Sequence, residues 1–336
     1  MLKQIKGSAS GNLARIQVLS YARLSNYRSF FGAADDAQAL GLYQWNDDLS
    51  AALFRTISQV EVVLRNRFHH AMSLRYGAVG GHGTRDWYAH VALGTHSRSK
   101  ITDVTHYKRR HQLLPRVPAP SPDDVVSRLT FGFWPHLLDL KNDVHNRPVD
   151  WGPILVDVLP GHRQRQDTHW AKLKHRDALF ARLDLCNELR NRIAHHEPIW
   201  KLGPLMDERR PRRGVPLNVQ APAPSTPSEA LTRLQLLYGR VIELLAWLSP
   251  AVAAQYAASD MHLRCLNLLQ PEVLEAYKRA LPPAEIDLSK MGNLRTLRKA
   301  LRYAARRKQP VLVKDGRRLI GHLTVGSGFL SAGISP

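Results

Sequence analysis

The chain has 336 residues, enough for one large domain or two smaller ones, and 44% of them are apolar, an ordinary share for a globular protein and far from a disordered composition. Its 48 Lys and Arg against 28 Asp and Glu leave a net charge of +20, which points to a polyanionic partner: nucleic acid ahead of a merely basic surface, because cations that neutralise phosphates release counterions. There is no apolar run of membrane-spanning length, no apolar segment after the first lysines to suggest a secretory leader, and only two distant cysteines, Cys186 and Cys265, so a membrane span, a disulfide framework and a zinc site are excluded and the expected location is the cytoplasm.

Taken in chain order, residues 48–76 are predicted to form one helix. Leu53, Ile57, Val60, Leu64, Phe68 and Met72 recur at intervals of three and four, and Gly77 supplies the stop. A Gly/His-rich loop follows at 77–85, then the aromatic pair Trp87-Tyr88. Residues 108–122 carry Lys108-Arg109-Arg110 and several prolines, and read as a surface connection. Asp123 and Asp124 open an apolar helix through 127–140, SRLTFGFWPHLLDL, with Trp134 and its neighbours expected in the core. After a turn around 142–152, a helix over about 174–197 carries the stripe Leu173, Leu179, Leu183, Cys186, Leu189 and Ile193, and breaks at Pro198.

Residues 202–225, with ERRPRRG and APAPSTP, read as a linker. Helix resumes with Thr226 as cap, Pro227 at the first helical position and Glu229 reaching back as a capping box. The stretch 231–248, LTRLQLLYGRVIELLAWL, suits a central bundle element, and more helix is expected to about 280. From Lys290 to Lys308 the chain reads as a basic helix, and residues 309–325 as a β-hairpin turning at Asp315-Gly316 in a type I′ turn. Residues 283–336 hold 11 Lys and Arg against 3 Asp and Glu, and so carry +8 of the total charge. The expected fold is mainly α: a helical bundle over about 15–280 and a small α+β module, helix plus hairpin, over 283–326.

Two phrases resemble each other, VEVVLRNRFHHAM at 60–72 and CNELRNRIAHHEPIW at 186–200. In a helix, positions i and i+4 lie about 40° apart, so Asn191 pairs with His195 and Asn66 with His70, whereas Arg190 sits about 140° from His195. Only the length of its side chain, or a distortion near the helix end, brings that guanidinium round. The residue types suit RNA cleavage without a metal. A histidine removes the 2′-OH proton or protonates the leaving 5′-oxygen, an arginine stabilises the charge building on phosphorus, and Asn191 orients the imidazole or binds a phosphate oxygen. Placed in the last helical turn, His195 is also favoured as imidazolium and hence as an acid. Spacing alone favours a solvated or RNA-binding helix face over catalysis. His195-His196-Glu197 lacks the i, i+4 histidine pair of a zinc helix, so neither metal nor cofactor is expected.

Arg190-Asn191-x3-His195 resembles the signature of the HEPN superfamily, whose nucleases carry R-x4–6-H with a polar residue after the arginine. More widely, residues 15–270 resemble the Abi-like (abortive infection, AbiD/AbiF-type) proteins of bacteria. Three blocks carry this: YQWNDDLSAALFRTISQVEVVLRN at 43–66, LTFGFWPHLL at 129–138 and LCNELRNRIAHHEPIW at 185–200. The resemblance implies an all-α HEPN bundle and a metal-independent RNase or RNA-binding role in phage defence, with RNA, including a regulatory small RNA, as partner. It also implies a homodimer in which two Arg–His sets line one cleft. Arg190, Asn191 and His195 are then the catalytic set, with Glu61, Arg65, Asn66, His70, Arg192 and His196 supporting the site or contacting RNA. Residues 289–324 are similar to Phd/YefM-type antitoxins, which implies a DNA-binding or dimerising tail.

Overall fold

In the computed structural model, which describes residues 16–77, 85–280, 284–308 and 311–323, one helix sets the architecture. After α1 (Tyr21–Phe31), helix α2 (Asp36–Tyr76) runs for 41 residues, about 60 Å at 1.5 Å per residue. It begins well before position 48. Asp35 caps it, its carboxylate accepting from Gln38 N at 2.8 Å, and Asp36 complements the dipole in the first turn. The Asp47-Asp48 pair, which interrupts the apolar stripe, is accommodated by tertiary contacts. Asp48 accepts from Arg264 Nη2 and from the Tyr277 hydroxyl, both at 2.6 Å.

The remaining body is α3 (Thr95–Thr105), the hairpin β1 (His106–Arg109) and β2 (Gln112–Pro115), α4 (Pro122–Arg128), α5 (Phe133–Leu137), α6 (Trp151–Val158), α7 (Asp167–Trp170), α8 (Leu173–Ala194), the two short strands β3 (Leu205–Met206) and β4 (Val219–Ala221), α9 (Pro227–Leu248), α10 (Pro250–Ala257), α11 (Asp260–Leu268) and α12 (Pro271–Lys278). Helices α1, α6, α8, α9, α11 and α12 all pack on α2. Gly41 permits the close approach of α12, since a Cβ there would meet the Tyr277 carbonyl oxygen at 2.1 Å. The predicted capping box at the start of α9 forms, with Glu229 N donating to Thr226 Oγ1 at 3.2 Å.

Three stretches differ from the sequence reading. The expected apolar helix after Asp123 is two short helices, α4 and α5, separated at 129–132. Phe131, Phe133 and Trp134 between and within them are fully buried, and Trp134 stacks on Phe68 with ring centroids 5.9 Å apart. Part of the expected connection at 108–122 is the β1–β2 hairpin. The expected linker at 202–225 is a strap tied to the bundle: Arg210 pairs with Asp139, Arg212 with Asp177 and Glu208 with the buried Arg182, while Arg209 pairs with Asp207 inside the strap.

The C-terminal module is β5 (Ala284–Asp287), α13 (Leu294–Arg307), β6 (Val311–Asp315) and β7 (Arg318–Leu323), in the sheet order β5-β6-β7. Helix α13 crosses over between the parallel pair β5–β6, and β6–β7 is the expected hairpin. Ala284, Ile286, Ala300, Ala304 and Val311 form a small core of its own. In the hairpin loop only Gly316 has positive φ, the pattern of a type II′ turn instead of the expected I′. Buried Asp287 accepts from Ser289 Oγ at 2.7 Å, pairs with Lys290 Nζ at 3.0 Å and accepts from Gly316 N at 3.0 Å, which fastens the turn to β5 and holds its carboxyl well below the usual carboxylate range. Among the described residues no helix is long and apolar enough to cross a membrane.

Candidate functional site

Helix α8 buries Leu179, Leu183, Cys186 and Leu189 and ends at Ala194, three residues short of the predicted boundary. His196 N donates to Ile193 O at 3.0 Å and Glu197 N to Arg192 O at 2.9 Å, while His196 takes φ 53°. These are the paired bonds of a Schellman motif, with histidine where glycine is usual. His195 is therefore the C-cap, its N–H still bonded to Asn191 O at 2.9 Å. It sits at the negative end of the helix dipole, just beyond the last turn.

The segment after the cap is held from below. Arg192 Nη2 donates to Pro198 O at 2.9 Å and to Lys201 O at 2.7 Å, and Ile199 N donates to buried Asn46 Oδ1 at 3.0 Å. Trp200 packs among Tyr27, Phe30 and Phe31. Arg23 Nη1 reaches His196 O at 3.4 Å, and Lys201 Nζ reaches Asn26 Oδ1 at 3.2 Å. The result is a fixed backbone carrying two exposed imidazoles, His195 and His196. Arg192 thus acts as a clamp, and Glu197 turns toward it at 3.8 Å.

Arg190 is half-buried, and its Nη1 donates to Asn191 Oδ1 at 3.3 Å. That contact joins the guanidinium to its neighbour Asn191. Its Nε is buried and finds no hydrogen-bond partner among the described residues. From α2, Glu61 lies within Coulombic range of both Arg190 and Arg65. Burial raises its carboxyl pKa, and the two arginines oppose that rise. Arg190 thus has Asn191 as its hydrogen-bond partner and Glu61 in its field, and Glu61 also feels Arg65. A cavity of about 200 Å³ opens at the end of α8, lined by Tyr43, Asp47, Ser50 and Phe54 of α2 and by Ile193 and His196.

The other phrase is arranged differently. It lies in the middle of α2, where Arg65 Nη1 donates to Ser127 O at 2.8 Å and Arg67 Nε to Leu248 O at 2.9 Å. Asn66 and His70 are exposed. The histidine with defined partners is His69: Trp87 Nε1 donates to its Nδ1 at 3.0 Å, and its Nε2 lies 3.0 Å from Asp123 Oδ1. An indole only donates, so Nδ1 accepts and Nε2 carries the proton. Burial pushes the His69 pKa down.

Sequence reasoning did not single out Arg23, Asn46 or the His69–Trp87–Asp123 chain. Asn46 stands in the block at 43–66, but its partner Ile199 is far along the chain, and no local pattern reveals such a bond. Cys186 and Cys265 are buried free thiols pushed up to about 12, which leaves them inert as nucleophiles. A model of the family described as Abi-like protein matches residues 14–201, a span that contains both arginine–histidine phrases. No curated protein and no solved structure matches the chain.

Proposed function

The chain belongs to the Abi-like protein family, and from that premise we propose that it acts in bacterial phage defence, by abortive infection, as a metal-independent endoribonuclease of HEPN type. The observation that carries the reading is the state of Arg190. Its guanidinium is bonded to Asn191, keeps a buried N–H that no described residue accepts, and stands one turn before an exposed, backbone-fixed His195. In this reading the guanidinium of Arg190 serves a phosphate oxygen, whose geometry its fork matches.

In this mechanism the RNA 2′-oxygen attacks the adjacent phosphorus, the P–O5′ bond breaks, and a 2′,3′-cyclic phosphate and a free 5′-hydroxyl are left. Arg190 stabilises the charge that builds on the non-bridging oxygens. His195 moves one proton, as acid to the 5′-oxygen or as base from the 2′-hydroxyl, and Asn191 orients it. Two proton-transfer groups are needed and each chain offers one His195, so a homodimer that faces two sites across one cleft completes the set. The cavity beside His196 adds room for a nucleotide next to the broken bond.

Purified protein given RNA in EDTA should leave 2′,3′-cyclic phosphate or 3′-phosphate ends, and His195→Ala should abolish them. Full cleavage by that variant sinks the assignment. A second reading has its own support. Exposed Arg295, Arg298, Lys299, Arg302 and Arg306 form one basic face of α13, which suits a protein that holds a regulatory RNA without cutting it, or a tail that binds DNA to control its own synthesis. RNA that co-purifies intact and is never cut favours the first of these. Loss of operator binding on deleting residues 283–336, with any RNase activity kept, favours the second.

A further inference from the structure

The basic residues of the chain fall into two kinds. In the strap, Arg209, Arg210 and Arg212 are each neutralised by an aspartate. In the β1–β2 ribbon, Lys108, Arg109 and Arg110 have neither an ion pair nor a side-chain hydrogen bond among the described residues, and no acidic residue occurs between Asp103 and Asp123. The ribbon is also out of place as a structural element. All of its strand residues but His106 and Leu114 are exposed, and a two-stranded hairpin with no buried face gains little from packing.

Its loop is equally unusual. Arg110 and His111 have φ 47° and 67°, so both central residues of a two-residue turn are left-handed, with no glycine or asparagine to favour it. The turn sets two cationic or titratable side chains at the tip of an arm. Departures of this kind from local preference concentrate where a surface has work to do. Between the ribbon and α3 lies a groove of about 820 Å³ lined by Arg98, Ser99, Thr102, His106, Lys108 and Arg116, among others, with Asp103 as its one acid among the described residues. Arg98 and Arg116 each give one N–H to a backbone carbonyl, Leu93 O at 3.2 Å and Val104 O at 2.9 Å. Those bonds hold the guanidinium planes and leave other donors for a ligand.

We infer that the ribbon and this groove form a second RNA site, which holds a single-stranded stretch of sugar–phosphate backbone apart from the Arg190–His195 residues. The cations take the phosphates, the exposed Ser99 hydroxyl takes ribose, and exposed Tyr107 offers a ring for a base to stack on. A two-stranded ribbon does not enter the deep, narrow major groove of an RNA duplex, and the cavity suits a short run of nucleotides, so a single strand is the fitting form. The inference rests on RNA as the partner named above and does not depend on cleavage.

The test uses the full chain with His195→Ala as background, so that RNA stays intact, and an unstructured RNA oligonucleotide as probe. Adding Lys108→Glu, Arg109→Glu and Arg110→Glu should weaken binding by at least about tenfold at moderate salt. It should also flatten the slope of log affinity against log salt by about 2, at roughly 0.7 for each phosphate that these cations no longer neutralise. The same three positions changed to Gln serve if the Glu variant melts differently from its parent, with a smaller drop expected in the same direction. Unchanged affinity and slope in a folded variant overturn the inference. So does DNA duplex bound as tightly as the RNA and equally dependent on these residues. A ribbon variant that loses binding, in a protein whose unsubstituted form never cuts RNA, upholds this site while the nuclease reading fails. The ribbon substitutions placed in the unsubstituted protein, if it then binds and cuts RNA as before, do the reverse.

Discussion

Arg65-Asn66-Arg67 in α2 and Arg190-Asn191-Arg192 in α8 start from the same three residues and arrive at different chemistry, and position along the helix is what separates them. Mid-helix, Arg65 and Arg67 are drawn to the carbonyls of Ser127 and Leu248, at the ends of α4 and α9. The buried histidine of that phrase, His69, is locked between Trp87 and Asp123. At the helix end the backbone peels away. Arg192 takes the role of carbonyl clamp, Arg190 bonds to Asn191, and His195 stands exposed on a fixed turn. Both arginines of the first phrase hold distant carbonyls, whereas in the second only Arg192 does.

The sharpest way to break this contrast is to remove the equivalent histidines. In the proposed nuclease, His195→Ala should reduce RNA cleavage by about 10²–10⁴-fold, the usual worth of a positioned acid–base group, and Arg190→Ala by about 10²–10³-fold, as for loss of one donor to a developing oxyanion. His70→Ala, at the same distance after its arginine, should leave the rate within about twofold of the parent. Both histidines are exposed, so melting curves should stay superimposable and the rates compare directly. Equal losses at His70 and His195 would mean that the mid-helix phrase is a second catalytic half.

A smaller effect separates the clamps from the site. Arg192→Ala strips a donor from the carbonyls of Pro198 and Lys201 and should lower stability by about 1–3 kcal/mol, read as a lower urea midpoint. Arg67→Ala should do the same through Leu248, and with no loss of activity in the folded fraction. If Arg192→Ala lowers activity as well, the cause is the freed turn beneath His195, and a shift in kcat at constant RNA affinity will show it.

His69 gives the contrast a pH dependence. Burial holds its folded-state pKa below the unfolded value of about 6.5. Its contribution is therefore present above that value and is lost as the pH falls through it toward the folded pKa, when the proton at Nδ1 displaces the Trp87 bond. Thermal melts from pH 7.5 to 5.5 should show the stability gap between the parent and His69→Gln narrow with acidification. His262 and His162 shift in the same direction, so some acid sensitivity stays in the variant. His70→Gln should alter nothing, and an unchanged gap at His69 would remove its assigned role.

How far the molecule could be read in advance follows the range of the interactions. The α9 capping box and the apolar stripe of α2 are local patterns and stood as expected. The first part of α2 was hidden by Asp47-Asp48, whose acceptance depends on Arg264 and Tyr277. The end of α8 was placed too late because His196 adopts a left-handed backbone that sequence marks only when a glycine stands there. Strand β5 has only four residues and pairs across the α13 crossover, too short a run for its alternation to mark a strand. The strap read as a loose basic linker because Asp139 and Asp177, which neutralise it, lie far away in sequence. Within the site, Asn191 and His195 were readable as helix neighbours, whereas the approach of Glu61 to Arg190 was not.

That approach yields the smallest expected effect, and the one closest to the chemistry. Burial raises the Glu61 pKa, so the carboxylate becomes charged at a higher pH than an ordinary glutamate, and once charged it opposes the field of Arg190 at a phosphate. RNA affinity should therefore weaken as the pH rises through the Glu61 titration and stay tight in Glu61→Gln across the same range. The measurement needs the His195→Ala background, which removes both cleavage and the titration of His195. A difference of a few-fold is the expected scale, since the group is only half-buried and solvent screens it. Parallel pH curves for the two proteins would place Glu61 outside the phosphate field and reduce it to a packing neighbour of α8, which would leave Arg190 to act without a tuning carboxylate.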